Sequence, residues 1–288
     1  MLKLSPLIMN MKNVFLEKTV LITGGSSGIG LALAKVLAKH GANLVLLARR
    51  ADRLDSAEKE IRTFSNATSG LIEKIIADVA NEDEVKTGIG KFVSDHGVPD
   101  YLINSAGVSR PGMFEETSAD VFRWMMNVNF LGTVYATQAV IPGMIARNSG
   151  YIVNISSMAG FLGVVGYTAY GASKFAVRGF SDTLRAEMKL HNINVSVVFP
   201  PDTDTPQLAE EEPYKPAVTK ALSTGNTSLR SADEVADSIL KGVARKQYII
   251  TPGMDNTLLY RANSLLGNLS YWVMDQLVKQ AKHQAEKQ

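Results

Sequence analysis

Short β-branched or leucine-rich runs alternate with segments of helical length, a glycine-rich turn joins the first run to the first helical segment, and no break in composition divides the 288 residues. These observations predict an α/β fold in a single domain, a doubly wound parallel sheet of Rossmann type in three α/β/α layers. Right-handed crossovers place helices on both faces of such a sheet. A composition that is 45% hydrophobic supplies one substantial core.

The elements follow in order. Thr19–Thr23 reads as the first strand, 28–40 as a helix closed by Gly41, Asn43–Ala48 as the second strand, and 51–64 as a charged helix. Further strands are expected over 73–77, Tyr101–Asn104, 151–155, 194–199 and 247–250, with long helices over Ala119–Ala146 and 169–191. Pro200, Pro201, Pro206, Pro213 and Pro216 punctuate 200–231, where each proline removes an amide donor. That stretch is expected to be a binding loop rather than one helix. The domain is thus bounded at 18–252, between an N-terminal extension over 1–17, either flexible or packed on the domain, and a helical extension over 253–288.

Charge and composition exclude several classes of function. Lys, Arg, Asp and Glu make up 20% of the chain and nearly balance at a net +2, without the concentrated basic surface of a nucleic-acid binder. With no cysteine, disulfides and thiolate chemistry are excluded, and the composition fits a reducing, cytoplasmic setting. Only His40, His96, His191 and His283 are present, too scattered to suggest a metal site. The first fifteen residues lack the apolar core of a signal peptide and the ~20 apolar residues of a membrane span.

The glycine-rich turn carries Gly24, Ser26, Ser27, Gly28, Ile29 and Gly30. Small residues between a strand and a helix let backbone amides approach a pyrophosphate at the helix N-terminus. A tight turn without a ligand would use the same residues. Folds that bind NAD place a carboxylate about 20 residues later, on the ribose 2′-hydroxyl. Here the second strand runs into Arg49 and Arg50. A guanidinium grips a 2′-phosphate that a carboxylate would repel, so NADPH is the expected cofactor, held by Arg49 with Arg53 one turn on. Arg50 is either a further contact or a solvated residue, and nearby Asp52 weakens the argument. Asp78, followed by Val79, ends the third strand, where its carboxylate either meets the adenine amino group or caps the next helix.

At the reacting end, Tyr170 and Lys174 are four residues apart and share one helix face. A free phenol has a pKa of about 10, and a neighbouring cation lowers it toward useful proton transfer. Ser157 stands thirteen positions before Tyr170 at a strand end, and Asn104 and Asn129 follow a strand and lie on a central helix. At this point the chain resembles the short-chain dehydrogenase/reductase family. The residues that carry the resemblance are Thr23 to Gly30, Asn104 to Gly107, Ser157, and Tyr170 with Lys174, in that order, and it covers 18–250.

The resemblance implies roles. Tyr170 would give a proton to a carbonyl oxygen as NADPH delivers hydride, Ser157 would polarise the carbonyl, and Lys174 would bind the nicotinamide ribose and lower the tyrosine pKa. Asn129 would hold a water linking Lys174 to solvent, while Asn104, Ala106 and Gly107 would shape the cofactor site. Ser105 stands where many relatives carry a second asparagine. Residues 200–206, the acidic run 210–212 and the segment 168–179 further resemble the 3-ketodihydrosphingosine reductase group, which reduces 3-ketosphinganine to sphinganine with NADPH. Pro200, Thr203 and Thr205 would then border the nicotinamide, although such threonines also make local turns. Pro201 rigidifies that loop.

A long alkyl chain calls for apolar surface near the mouth. Phe161, Leu162, Val164 and Val165 either border such a substrate or tuck into the core. The segment 254–278, rich in leucine with Tyr271 and Trp272, reads either as an interfacial helix making peripheral membrane contact or as a helix packed on the protein. The two long helices offer surfaces for a homodimer or homotetramer. Other enzyme readings are a general ketone or steroid reductase and a β-ketoacyl reductase. A nucleotide sensor without turnover is the alternative of another class, against which Ser157, Tyr170 and Lys174 stand together.

Overall fold

A computed structural model of the chain describes residues 14–65, 70–226 and 229–286. Most of the expected N-terminal extension therefore lies outside the described residues, as do 227–228 of the 200–231 loop and the last two residues. Strands β1 (Thr19–Thr23), β2 (Asn43–Ala48), β3 (Ile72–Ile76), β4 (Tyr101–Asn104), β5 (Gly150–Ile155), β6 (Ile193–Val198) and β9 (Ile249–Ile250) form one sheet, in the order β3-β2-β1-β4-β5-β6-β9. Every pairing in it is parallel. Two-residue strands β7 (Thr203–Asp204) and β8 (Arg230–Ser231) pair separately.

Strand β1 illustrates why the sheet is covered on both faces. Val20, Leu21 and Ile22 are all fully buried, and successive side chains point to opposite faces. Val20 and Ile22 join Leu33, Leu37, Val235 and Ile239 on one side. Leu21 joins Ile89, Val140 and Leu184 on the other. The chain reverses its direction of winding between β1 and β4, so the crevice beyond their C-terminal ends is the place for a ligand in this architecture.

The boundaries read from the sequence hold to within a residue for β3, β5 and β6. The last strand is shorter than expected, since only Ile249 and Ile250 pair with Val197 and Val198. The helix expected over Ala119–Ala146 is interrupted: Ala119–Met125 and Gly132–Ala146 flank a π-helical turn, Met126–Leu131. Its length and mean hydropathy of 1.2 would suit a membrane span, but 44% of its apolar window is buried within the protein. Packing against the sheet accounts for that apolar character. The segment 200–231 is not one helix, as its prolines require; it folds into Pro206–Glu211, Ala217–Asn226 and the β7–β8 pair.

At the N-terminal boundary Phe15, within the expected extension, is packed on the domain: it is 1% exposed, and its ring lies 5.5 Å from Tyr101 within the core. The C-terminal segment forms two helices, Met254–Leu266 and Leu269–Ala285, broken at Gly267, whose φ of +51° favours glycine. Tyr260 stacks on Phe199 and meets Phe161 edge-on, so the first of these helices is docked on the core.

Candidate active site at the edge of the sheet

The glycine-rich turn folds as a backbone-lined cradle. Gly24 adopts a φ of +69°, and a Cβ there would come within 2.8 Å of the Ala106 backbone. At Gly30 a Cβ would lie 2.3 Å from the Gly24 carbonyl oxygen, so helix and strand approach closely only because both residues are glycine. A cavity of about 390 Å³ adjoins this turn, with Ser26, Ser27, Gly28, Lys35 and Arg53 in its wall. Ile29, in the first turn of the helix Gly28–Lys39, packs against the core beneath. Thr205 sits over the cradle, its methyl 3.3 Å from where a Gly28 Cβ would stand.

The two arginines after β2 are separated by their partners. Arg50 pairs with Asp52 at 2.6 Å and is turned to solvent. The Arg49 guanidinium reaches toward Asp78, 3.8 Å across the end of the sheet. Asp78 does not cap the following helix. Asn81 does, accepting from the Asp83 and Glu84 amides, while the Asp78 carboxylate accepts from Ala80 N at 2.9 Å. Val79 is buried beside Gly132, where a Cβ would meet its side chain at 2.9 Å.

At the reacting end the structure gathers Ser157, Tyr170, Lys174 and Asn129. The helix Thr168–Met188 buries Tyr170, Ser173 and Lys174 on one face, as their spacing requires. Lys174 Nζ donates to the Ile155 carbonyl at 3.0 Å, tying this helix to the end of β5. Ser157 lies two residues beyond, its hydroxyl accepting from Ala159 N at 3.2 Å. Asn129 sits in the π-helical turn. Its amide donates to Val108 O at 2.9 Å and to Ser173 Oγ at 2.9 Å, and its Oδ1 accepts from Val108 N at 2.8 Å. That side chain therefore holds the loop after β4 against the Tyr170 helix. Gly107 leaves a hollow beside it, where a Cβ would lie 3.4 Å from both Asn129 Oδ1 and Lys174 Nζ.

Other expected residues behave differently. The Asn104 side chain turns into the core and donates to Asn154 Oδ1 at 2.9 Å and Thr137 Oγ1 at 3.2 Å. Thr203 Oγ1 donates to Pro201 O at 2.8 Å and Thr205 Oγ1 to Thr203 O at 3.2 Å, so both hydroxyl protons serve local turns. Pro200 is buried, and its carbonyl accepts from Met158 N at 3.2 Å. Phe161 and Leu162 lie in a core cluster with Phe199. Val164 instead packs with Met125, Ala159 and Tyr170 around the phenol.

The electrostatics correct one expectation. Burial pushes the Tyr170 phenol well above its ordinary pKa, and the negative charge of Glu211 pushes it the same way. Hydrogen bonding with Ser157 and Gln207 opposes these effects but does not outweigh them. Lys174 does not offset the burial: its ammonium donates to the Ile155 carbonyl, and desolvation lowers its own pKa to about 8 despite the opposing charge of Glu211. Glu211 and Gln207 escaped the sequence reading as individual residues. The only signal was the acidic run 210–212 within the proline-rich loop.

A family profile described as short chain dehydrogenase matches residues 18–215. The chain is 42% identical over 241 residues to a Danio rerio protein named 3-dehydrosphinganine reductase, covering 83% of this chain and 72% of that one. It is 41% identical, with the same coverage, to a Mus musculus protein named 3-ketodihydrosphingosine reductase. Among solved structures, a short-chain dehydrogenase from Sphingobium yanoikuyae in complex with NADPH superposes with a TM-score of 0.74. It is 28% identical, covering 90% of this chain and 95% of that one.

The buried ammonium makes stability depend on pH. Unfolded, Lys174 keeps its proton up to its ordinary value of 10.5, whereas in the folded protein it loses it from about 8. Above about pH 8 the unfolded state binds more protons, so stability rises with pH. Urea unfolding of the cofactor-free protein is expected to show this rise between about pH 8 and pH 10, and Lys174→Met to flatten it. An equally steep rise in the variant would assign the effect elsewhere.

Proposed function

The chain belongs to the short-chain dehydrogenase family, and from that premise we propose that it reduces the 3-ketone of 3-ketosphinganine to the secondary alcohol of sphinganine with NADPH. The observation that carries the chemistry is a phenol, a serine hydroxyl and an ammonium brought together at the C-terminal edge of β5, across from the glycine cradle. The observation that carries the substrate is the 40–42% identity to vertebrate proteins named for that reaction.

The residues present fit a dinucleotide phosphate. Gly24, Gly28 and Gly30 keep the cradle free of side chains that would fill it, so the amides of Ser26, Ser27, Gly28 and Ile29 can face a pyrophosphate at the helix N-terminus. Arg49 and Arg53 supply charge for a 2′-phosphate, with Asp78 and Val79 beside the adenine. Ala106, Gly107, Pro200 and Thr203 would border the nicotinamide end, Thr205, over Gly28, would stand between it and the pyrophosphate, and Asn104 would support the site from below through its buried amide. When bound, NADPH supplies the hydride for the carbonyl carbon.

The chain's own residues handle the oxygen and the proton. Ser157 donates a hydrogen bond to the ketone oxygen, favouring the charge that develops there. Tyr170 donates its hydroxyl proton to that oxygen, and its raised pKa keeps the proton in place until the alkoxide forms. Lys174 holds the ribose side of the site and replaces the proton on the phenolate, with Asn129 maintaining its surroundings. Val164, Met125 and Ala159 make the wall beside Tyr170 apolar, in keeping with an alkyl ketone.

Two partner proposals accompany this reading. Leu265, Leu269, Tyr271 and Trp272 are at least half exposed at the corner between the two C-terminal helices, a surface suited to peripheral insertion at the cytoplasmic face of a membrane. Helices Ala119–Ala146 and Thr168–Met188 expose Trp124 and Phe175, which suit a homodimer or homotetramer.

Purified protein is expected to oxidise NADPH with 3-ketosphinganine, and Tyr170→Phe to lose at least about 1000-fold in kcat while still binding NADPH. Turnover of only a steroid ketone or a β-ketoacyl thioester would overturn the substrate assignment. Undiminished turnover by the phenylalanine variant would overturn the mechanism. Arg49→Asp is expected to shift preference toward NADH by about 10-fold or more in kcat/KM ratio; an unchanged ratio counts against the phosphate clamp. Light scattering should give a dimer or tetramer, and sedimentation with phosphatidylcholine–phosphatidylserine vesicles should weaken in Trp272→Asp. A monomer, or vesicle binding indifferent to that change, removes the corresponding proposal.

A further inference from the structure

The acidic run in the loop divides its side chains sharply. Glu210 is exposed, and Glu212 is held on the surface by Lys215 at 3.0 Å and Lys220 at 3.3 Å. Glu211 turns the other way and is 5% exposed. Its two carboxylate oxygens receive hydrogen bonds from neutral groups, Tyr167 Oη at 2.8 Å and Gln207 Nε2 at 3.0 Å. Among the described residues no lysine, arginine or histidine nitrogen is paired with it. A carboxylate withdrawn from water is costly unless a cation or strong donors compensate it. Neutral donors satisfy its lone pairs but leave its charge in place.

That charge faces the reacting centre. Tyr167 stands at the N-cap of the Tyr170 helix, with the two ring centroids 5.8 Å apart. Gln207 reaches from Glu211 to the hollow at Gly107, where its Oε1 stands 3.9 Å from the position of a Gly107 Cβ and Lys174 Nζ 3.4 Å from it. One amide thus spans the distance from the buried carboxylate to the corner that holds Lys174 and Asn129. Lys174 is already engaged by the Ile155 carbonyl. The field of Glu211 nevertheless reaches both groups, raising the Tyr170 pKa further and opposing the fall in that of Lys174.

We infer that Glu211 is a specificity-determining residue that receives a substrate ammonium on the carbon next to the ketone, with Gln207 and Tyr167 orienting its carboxylate. The inference rests on the proposed reduction of 3-ketosphinganine and deepens it, because that substrate carries its amine one carbon from the carbonyl. A cation seated there meets a buried carboxylate that has no cationic partner among the described residues. It also cancels part of the negative field at Tyr170, easing passage of the phenol proton to the ketone oxygen. An amino ketone would be favoured in kcat as well as in KM. A neutral ketone of equal length would leave Glu211 uncompensated and gain neither effect.

The test compares three ketones of one chain length with the full-length protein and NADPH: 3-ketosphinganine, its N-acetyl derivative, and the ketone lacking nitrogen. Wild type is expected to favour the free amine on the order of 100-fold in kcat/KM over the other two. Glu211→Gln should bring that ratio to within a few-fold of unity, losing activity on the amine and raising it on the nitrogen-free ketone as the negative field at Tyr170 is removed, with NADPH affinity unchanged. Glu211→Asp should restore part of the preference. A wild type that reduces amine and amide equally, or a glutamine variant that keeps the full preference, overturns the inference. Absence of turnover on all three by wild type defeats the proposed function instead. If the glutamine variant does not fold, the wild-type ratios and Glu211→Asp decide the matter.

Discussion

Buried amide side chains fix the catalytic helix to the sheet. Asn129 bonds both the backbone of Val108 and the hydroxyl of Ser173, so the loop after β4 and the Tyr170 helix are set by one side chain. One layer deeper, Asn104 and Asn154 pair across β4 and β5, and Asn154 donates to Ser181 on the same helix at 2.9 Å. In an otherwise apolar interior each of these groups would be expensive if left without a partner. The helix therefore has a single register against the strands. Lys174 adds a third anchor through the Ile155 carbonyl, and Tyr170 inherits its position from all three.

The same interior makes the site electrostatically taut. Burial disfavours charge on Tyr170 and Lys174 alike, moving the phenol upward and the ammonium downward. The protein alone thus holds the proton on the phenol, which suits a donor in reduction. Glu211 sharpens that bias from the other side of the cleft. A positive nicotinamide, or a substrate cation, relaxes it, so the charge state of the bound molecules becomes part of how the acid works. The short spacing of Tyr170 and Lys174 does not by itself produce an acidic phenol, because burial disfavours the charged form of both groups.

The loop over 200–231 and the two C-terminal helices build the outer wall. Prolines break the loop into short helices, and the β7–β8 pairing brings Arg230 back beside Asp202. Thr205 caps one of those helices while its methyl closes over Gly28. The loop therefore spans both ends of the cleft, from the glycine cradle at Thr205 to the acid at Glu211. Beyond it, Tyr260 seals the Phe161–Phe199 cluster and leaves the leucine, tyrosine and tryptophan side chains after it outside.

Periodic features were legible in the sequence. Alternating strands and helices, the glycine turn, and the one-faced spacing of Tyr170, Ser173 and Lys174 are local patterns imposed by backbone geometry, and each appears within a residue or two of its expected place. Arg49 and Ser157 could be named because a strand end determines where they emerge. Features that depend on partners distant in sequence were not legible. Phe15 joins the core because Tyr101 lies beneath it, Phe161 turns inward because Tyr260 covers it, and Asn104 faces Asn154 rather than the cleft. Which of three consecutive glutamates turns inward was likewise decided by Tyr167, forty-four residues away. Sequence determines which local conformations are available, whereas burial and long-range hydrogen bonding select the partner, and with it the charge, that each side chain brings to the site.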